Sequence, residues 1–229
     1  MIGTSINAGA IIFGSTLGVF MGARLSERIR DTVLNGLGLL IVLIGLQMAL
    51  GTKNILIVLA AVLLGGLTGE VLRIHDAIEK LGSILQNVLS RGRQSTFGEG
   101  FVTASLIFCI GPMAILGSIQ DGLTGDYRIL AVKAALDGFA AIAFSATLGW
   151  GVACSAVSIL LYQGFITLFA TMLSKALTDP MIAEMTATGG LIIVGMGLKL
   201  LNVKDMRLAS FLPALALAPL IVALLRFLP

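Results

Sequence analysis

GFVTASLIFCIGPMAILGSIQDG, residues 100–122, is the stretch on which the reading of the whole chain turns. It is as apolar as a membrane span, yet Gly111 and Pro112 stand at its centre and Ser118, Gln120 and Asp121 crowd its far end. Proline removes a helical hydrogen bond and its ring clashes with the turn before it. Lipid offers no water to satisfy the carbonyls so freed, and a break of this kind belongs against protein or a wet cavity. Asp121 argues the same way, because charge at membrane depth costs roughly 2.5–3.5 kcal/mol on insertion scales and marks pathways for ions and solutes. The stretch reads as a broken helix, or a re-entrant hairpin, lining a site. The alternative is a plain proline kink with Asp121 solvated in an interfacial loop.

Outward from that stretch the composition sets the class. Hydrophobic residues make up 57% of the chain and charged residues 12%, with a mean hydropathy of +1.04. Apolar runs recur with the charges confined between them, which defines a helical membrane protein and leaves no room for a separate soluble domain. The length accommodates about seven or eight spans of roughly 20 residues each. A net charge of +3, carried by Lys and Arg in the loops, bears on membrane orientation rather than on nucleic acid, since no basic tract is interleaved with aromatics. The first residues, MIGTSINAGAIIFGSTLGVF, lack a basic n-region and a cleavage site and read as a retained span. Cys109 and Cys154 each lie inside an apolar run, as small packing residues rather than a disulfide or metal pair. No cofactor is implied.

The spans follow in order. Span 1 covers Thr4 to Met21, with Asn7 one turn before a stripe of small residues, Ala10, Gly14, Gly18 and Gly22. Such a stripe lets another helix come close, within the chain or in a homo-oligomer through Gly14, Gly18 and Gly22. Span 2 runs from Val33 to Leu50, and Gly51 to Asn54 is a tight turn into span 3, Ile55 to Leu72. From Ile74 to Gln94 apolar residues recur at three- and four-residue steps with His75, Asp76, Glu79 and Lys80 between them, the pattern of a helix lying on the membrane surface. The broken fourth span begins at Phe97. Span 5 starts after Gly125-Asp126-Tyr127-Arg128 and extends to about Trp150, with Lys133 and Asp137 four apart on one face, placed to pair with each other. Span 6 is Ala153 to Leu173 and contains Tyr162 and Gln163; Asp179-Pro180 then breaks the chain, Glu184 precedes span 7 at Thr188 to Leu201, and span 8 covers Leu208 to Leu225. The organisation is a half at 1–73, an interfacial linker helix at 74–96, the broken span at 97–127 and a second half at 128–229.

The two halves resemble each other. GLLIVLIGL at Gly38 to Leu46 matches GLIIVGMGL at Gly190 to Leu198, and FGSTLG at Phe13 matches FSATLG at Phe144. The spacing between the two matches differs by about one span, so the second half holds an extra helix. Loop charge bias, with Arg24, Arg28, Arg30, Arg73, Arg91 and Arg93 among the residues on the richer side, puts the N-terminus outside. At least one repeat pair then runs in opposite directions. Inverted repeats around helices broken inside the bilayer are the usual architecture of secondary transporters.

The run GFVTASLIFCIGPMAILGSIQDGLTGD, followed by KAALDG at Lys133 to Gly138 and FSATLG at Phe144, resembles the YqgA/YdfK-type family of bacterial inner-membrane proteins, domain of unknown function 554. The resemblance spans nearly the whole chain. It implies a bacterial inner-membrane location and transfers no catalytic or binding residue.

Three functions fit these residues. The first is a secondary transporter of a small solute or ion, with its site where the broken span meets span 5. Asn7, Gly111, Pro112, Ser118, Gln120, Asp121, Lys133 and Asp137 are the candidate residues. Asp121 or Asp137 would hold a coupling H⁺ or Na⁺, Lys133 would tune Asp137, Ser118 and Gln120 would supply polar contacts, and Gly111-Pro112 would supply the break. The second is a channel assembled along the glycine stripes, and the third a scaffold subunit that recruits a partner through the surface helix. An enzyme is disfavoured: the one histidine, His75, lies on that surface helix, and neither a Cys/His cluster nor a serine paired with a base is present.

Overall fold

A computed structural model describes residues 1–24, 26–77, 80 and 97–225. Among the described residues the protein is helical, with no strand: α1 (Ile2–Gly22), α2 (Glu27–Ala49), α3 (Ile55–Val71), α4 (Phe97–Cys109), α5 (Pro112–Thr124), α6 (Arg128–Leu148), α7 (Gly151–Leu168), α8 (Ala170–Ala176), α9 (Asp179–Leu200), a 3₁₀ turn (Leu208–Phe211) and α10 (Pro213–Leu225). Among the described residues 6 helices are long and apolar enough to cross a membrane, or 7 if the bent pair α4 and α5 is one span. Counting the shorter apolar helix α3 as well reaches the upper of the two expected numbers. The surface helix expected from Ile74 to Gln94 lies outside the described residues beyond Ala77, Lys80 excepted.

Local chemistry sets the ends. Asn54 begins α3 with its side-chain oxygen accepting from Leu56 N at 3.1 Å, and Gly125 stops α5 in the left-handed conformation (φ 72°). Besides an earlier start of α2, at Glu27 where Val33 was expected, two boundaries differ from the sequence reading. Asp179-Pro180 lies at the break expected ahead of span 7, since α8 ends at Ala176, but it belongs to the helix that follows: it opens α9, because proline at the first turn has no amide to lose and a backbone angle already helical. Glu184 therefore sits inside α9, not before it. At the other boundary α7 stops at Leu168 and a seven-residue α8 follows, where one span to Leu173 was expected.

The described residues fall into two compact units that interleave in sequence, one from 1–37 and 79–174, the other from 38–78 and 175–229. In the first unit α1 and α6 run side by side in the same direction. A methyl group placed at Gly14, Gly18 or Gly22 would run into the backbone oxygens of Gly138, Ile142 or Ala146, so the small stripe brings two helix backbones together. Of the two uses expected for this stripe, within the chain or toward a second copy, the structure shows the first: it is covered by α6 of the same chain. Helices α4 and α5 both keep company with α7: Gly151 abuts Phe97, Ser158 bonds Ser105 at 2.8 Å, and Gly122 abuts Thr167. The register with α7 rises through the Gly111-Pro112 break, as it does for one span bent in the middle, and the bend is 63°.

The second unit packs antiparallel. Ala61 and Ala218, Gly65 and Ala214, and Gly69 and Ser210 meet along α3 and the chain from Ser210 into α10. On α2 and α9 the two matching segments face each other reciprocally: Gly38 lies against Gly197, and Gly45 against Gly190 and Val194. Glu184, 1% exposed, closes this unit at the α2–α3 turn, accepting Thr52 Oγ1 at 2.6 Å, Lys53 N at 2.7 Å and Asn54 N at 3.1 Å. That answers the turn's free amides with a charge-assisted set.

Candidate functional site

The first unit holds a buried polar cluster where four helices meet. The opening turns of α1 supply Thr4 and Asn7, the end of α5 supplies Ser118 and Asp121, α6 supplies Lys133 and Asp137, and the end of α7 supplies Gln163 and Thr167. None of these side chains is more than 8% exposed as a residue. Helix direction explains the convergence. Because α1 runs with α6 and against α7, the start of α1, the first half of α6 and the last half of α7 lie at one level.

Asp137 is the hub. The Lys133 ammonium donates to Asp137 Oδ2 within one helical turn, and Asn7 Nδ2 donates to the same oxygen at 3.0 Å from α1. Asn7 Nδ2 also reaches Gln163 Oε1 at 3.4 Å, which ties α7 to the pair. One turn along α1, Thr4 Oγ1 and Thr167 Oγ1 lie 3.5 Å apart. Asp121 Oδ2 accepts Gly3 N at 3.2 Å and lies 3.2 Å from the Met1 amino nitrogen, so this carboxylate faces the N-terminal end of α1, where the unbonded amides favour negative charge.

Several polar atoms of the cluster have no protein partner while fully buried: Asn7 Oδ1, Gln163 Nε2, Ser118 Oγ and Asp121 Oδ1. Buried polar groups are almost always bonded, since leaving one unmade costs about 1–3 kcal/mol. Four of them on three helices, α1, α5 and α7, call for an explanation, and a bound solute, ion or water supplies one.

Among the expected residues Asn7, Lys133 and Asp137 bond one another, and Ser118 and Asp121 are buried on the neighbouring α5. Asp121 lies in helix, not in the solvated loop of the alternative reading. Gln120 does not join: it donates to Asp126 Oδ2 at 3.1 Å and fastens the turn after α5. Gly111 and Pro112 lie about two turns of helix before Ser118. Gly111 has φ 154° and ψ 150°, a region open almost only to glycine, so this residue permits the bend that carries Ser118 and Asp121 to their place. Three members went unassigned in the sequence. Gln163 was visible as a lone amide in an apolar run, whereas Thr4 and Thr167 gave no signal, because threonine inside a span commonly bonds its own helix.

The fold and this interior define a polytopic α-helical membrane protein. The chain belongs to the family described as "Protein of unknown function (DUF554)", which it matches over residues 2–223. It is 30% identical to the "Uncharacterized membrane protein YdfK" of Bacillus subtilis (strain 168) over 226 residues, covering 97% of this chain and 96% of that protein. It is 32% identical to the "Uncharacterized protein YqgA" of Escherichia coli (strain K12) over 222 residues, covering 95% and 94%. No solved structure matches the chain.

Proposed function

We propose that this protein is a secondary transporter of a small solute or ion in a bacterial inner membrane, with its N-terminus outside, and that solute passes through the cluster around Asp137. The observation that supports this is the set of fully buried, unpartnered polar atoms on α1, α5 and α7 beside a buried ion pair. A network that served only to hold helices together would pair its own atoms, as Glu184 does in the other unit. Ionisable groups kept inside spans are costly and are retained where they act on a passing species. In this reading Asp137 or Asp121 holds the coupling H⁺ or Na⁺, and the opened α4–α5 span is the element that rearranges.

The reading is tested by uptake into proteoliposomes under imposed H⁺ and Na⁺ gradients. Purified protein should give saturable, gradient-driven uptake, and Asp137→Asn should abolish it while keeping its elution profile. Uptake unchanged in Asp137→Asn would remove the cluster from the mechanism. A channel assembled along the glycine stripe is the weaker reading, since α6 already covers Gly14 and Gly18.

A further inference from the structure

The cluster also carries information about the charge of what it binds, on the premise that it is a transport site. Its ion pair is closed on itself: Lys133 and Asp137 neutralise each other within α6, and the amide nitrogen of Asn7 is committed to Asp137 Oδ2 and Gln163 Oε1. An ion of either sign entering beside them would bring an uncompensated charge into a low-dielectric interior, which costs several kcal/mol per ion. What the site leaves open is different in kind. Asn7 Oδ1 is an unpartnered acceptor, Gln163 Nε2 is an unpartnered donor, and both side chains are 0% exposed. The two amides are already joined through Asn7 Nδ2 and Gln163 Oε1, so the open acceptor and the open donor belong to two side chains in contact. A carboxylate could use only the donor and an ammonium only the acceptor. A group that donates and accepts from adjacent atoms satisfies both.

We propose that the Asn7–Gln163 pair binds a small uncharged solute bearing a hydrogen-bond donor and an acceptor side by side, of the primary amide or urea class. Its N–H would be donated to Asn7 Oδ1 and its carbonyl would accept from Gln163 Nε2. The Lys133–Asp137 pair then holds Asn7 in place rather than touching the solute. Coupling, where it exists, falls to Asp121, whose Oδ1 stays free on the neighbouring helix.

The test is stopped-flow light scattering from proteoliposomes of the full chain, with acetamide and urea as probes. Swelling should be several-fold faster than in protein-free vesicles. Gln163→Met, which keeps the length of the side chain and removes its donor, should slow acetamide entry by about tenfold, the effect of one lost hydrogen bond in a buried site. Folding of the variant is checked by its elution profile, and Gln163→Glu serves as a second variant that also lacks the open donor. ²²Na⁺ and pH-dye fluxes are measured on the same vesicles. Acetamide flux that depends on Gln163 supports the proposal. Asp137-dependent ion flux with no acetamide flux overturns it and leaves the transporter reading standing. Absence of both overturns both, and acetamide flux unaltered by either Gln163 variant also overturns the assignment to this pair.

Discussion

Asn7 on α1 and Asp137 on α6 meet at 3.0 Å across 130 residues of sequence, and the carboxylate oxygen that takes the Asn7 amide also takes the Lys133 ammonium. The pair ties the first helix to the fifth expected span at the level where α5 and α7 end, and it makes a buried charge tolerable by surrounding it with donors.

Removing one partner of this arrangement strands the other. Lys133→Met leaves the Asp137 carboxylate buried with Asn7 alone, and its two side chains are only 8% and 11% exposed. Loss of about 3–5 kcal/mol of stability follows in detergent unfolding. The double variant Lys133→Met/Asp137→Leu should recover most of that loss, since no charge then remains inside. The coupling read from the complete mutant cycle is the check.

The α1–α6 contact depends on the absence of side chains. At Gly18 a Cβ would meet Ile142 O and Ser145 Oγ, whereas at Gly9, one residue before the stripe begins, nothing lies within 4 Å. Gly18→Ala should lower the thermal midpoint by an amount equivalent to about 1–3 kcal/mol. Gly9→Ala should raise it slightly, by about 0.5–1 kcal/mol, through helix propensity. Equal effects from the two would contradict the packing described.

Gly111 separates space from backbone geometry. No atom lies within 4 Å of a Cβ built there, yet its φ of 154° strains any L side chain. Gly111→Ala should therefore cost about 1–3 kcal/mol without any steric clash. Transport should fall with it, because the bend sets where Ser118 and Asp121 sit. Unfolding and flux measured on one preparation test both statements.

In the second unit Glu184 answers three donors of the turn at Thr52 to Asn54. Glu184→Ala should destabilise by about 2–3 kcal/mol. Faster hydrogen exchange at Lys53 and Asn54, with the protection of α6 and α7 unchanged, is the local signature expected.

Periodicity and breakers made much of this fold legible. Apolar run lengths marked the spans, Gly111-Pro112 marked the bend, the Lys133–Asp137 spacing marked an intrahelical pair, and the small stripe marked a close helix contact. The partner of that stripe was not legible, because glycines admit a neighbour without naming it. Asp179-Pro180 marked a break but not the side on which the next helix begins: the dipeptide opens α9 itself, which puts Glu184 inside that helix. Gln163, Thr4 and Thr167 enter the site through the register between α1 and α7, which is a property of two packed helices and of neither sequence alone. Gln120 read as a site residue on proximity to Asp121, but neighbours in a helix point to different faces.

The central claim is that the cluster at Asp137 is reached by solute from water. Ser118→Cys, in a chain with Cys109 and Cys154 replaced by alanine, places one thiol beside it. Native membranes treated with a small water-soluble maleimide should label that thiol, and an excess of the transported solute should slow the labelling. A thiol that reacts only after denaturation would show the cluster to be sealed helix-packing material, contradicting the account.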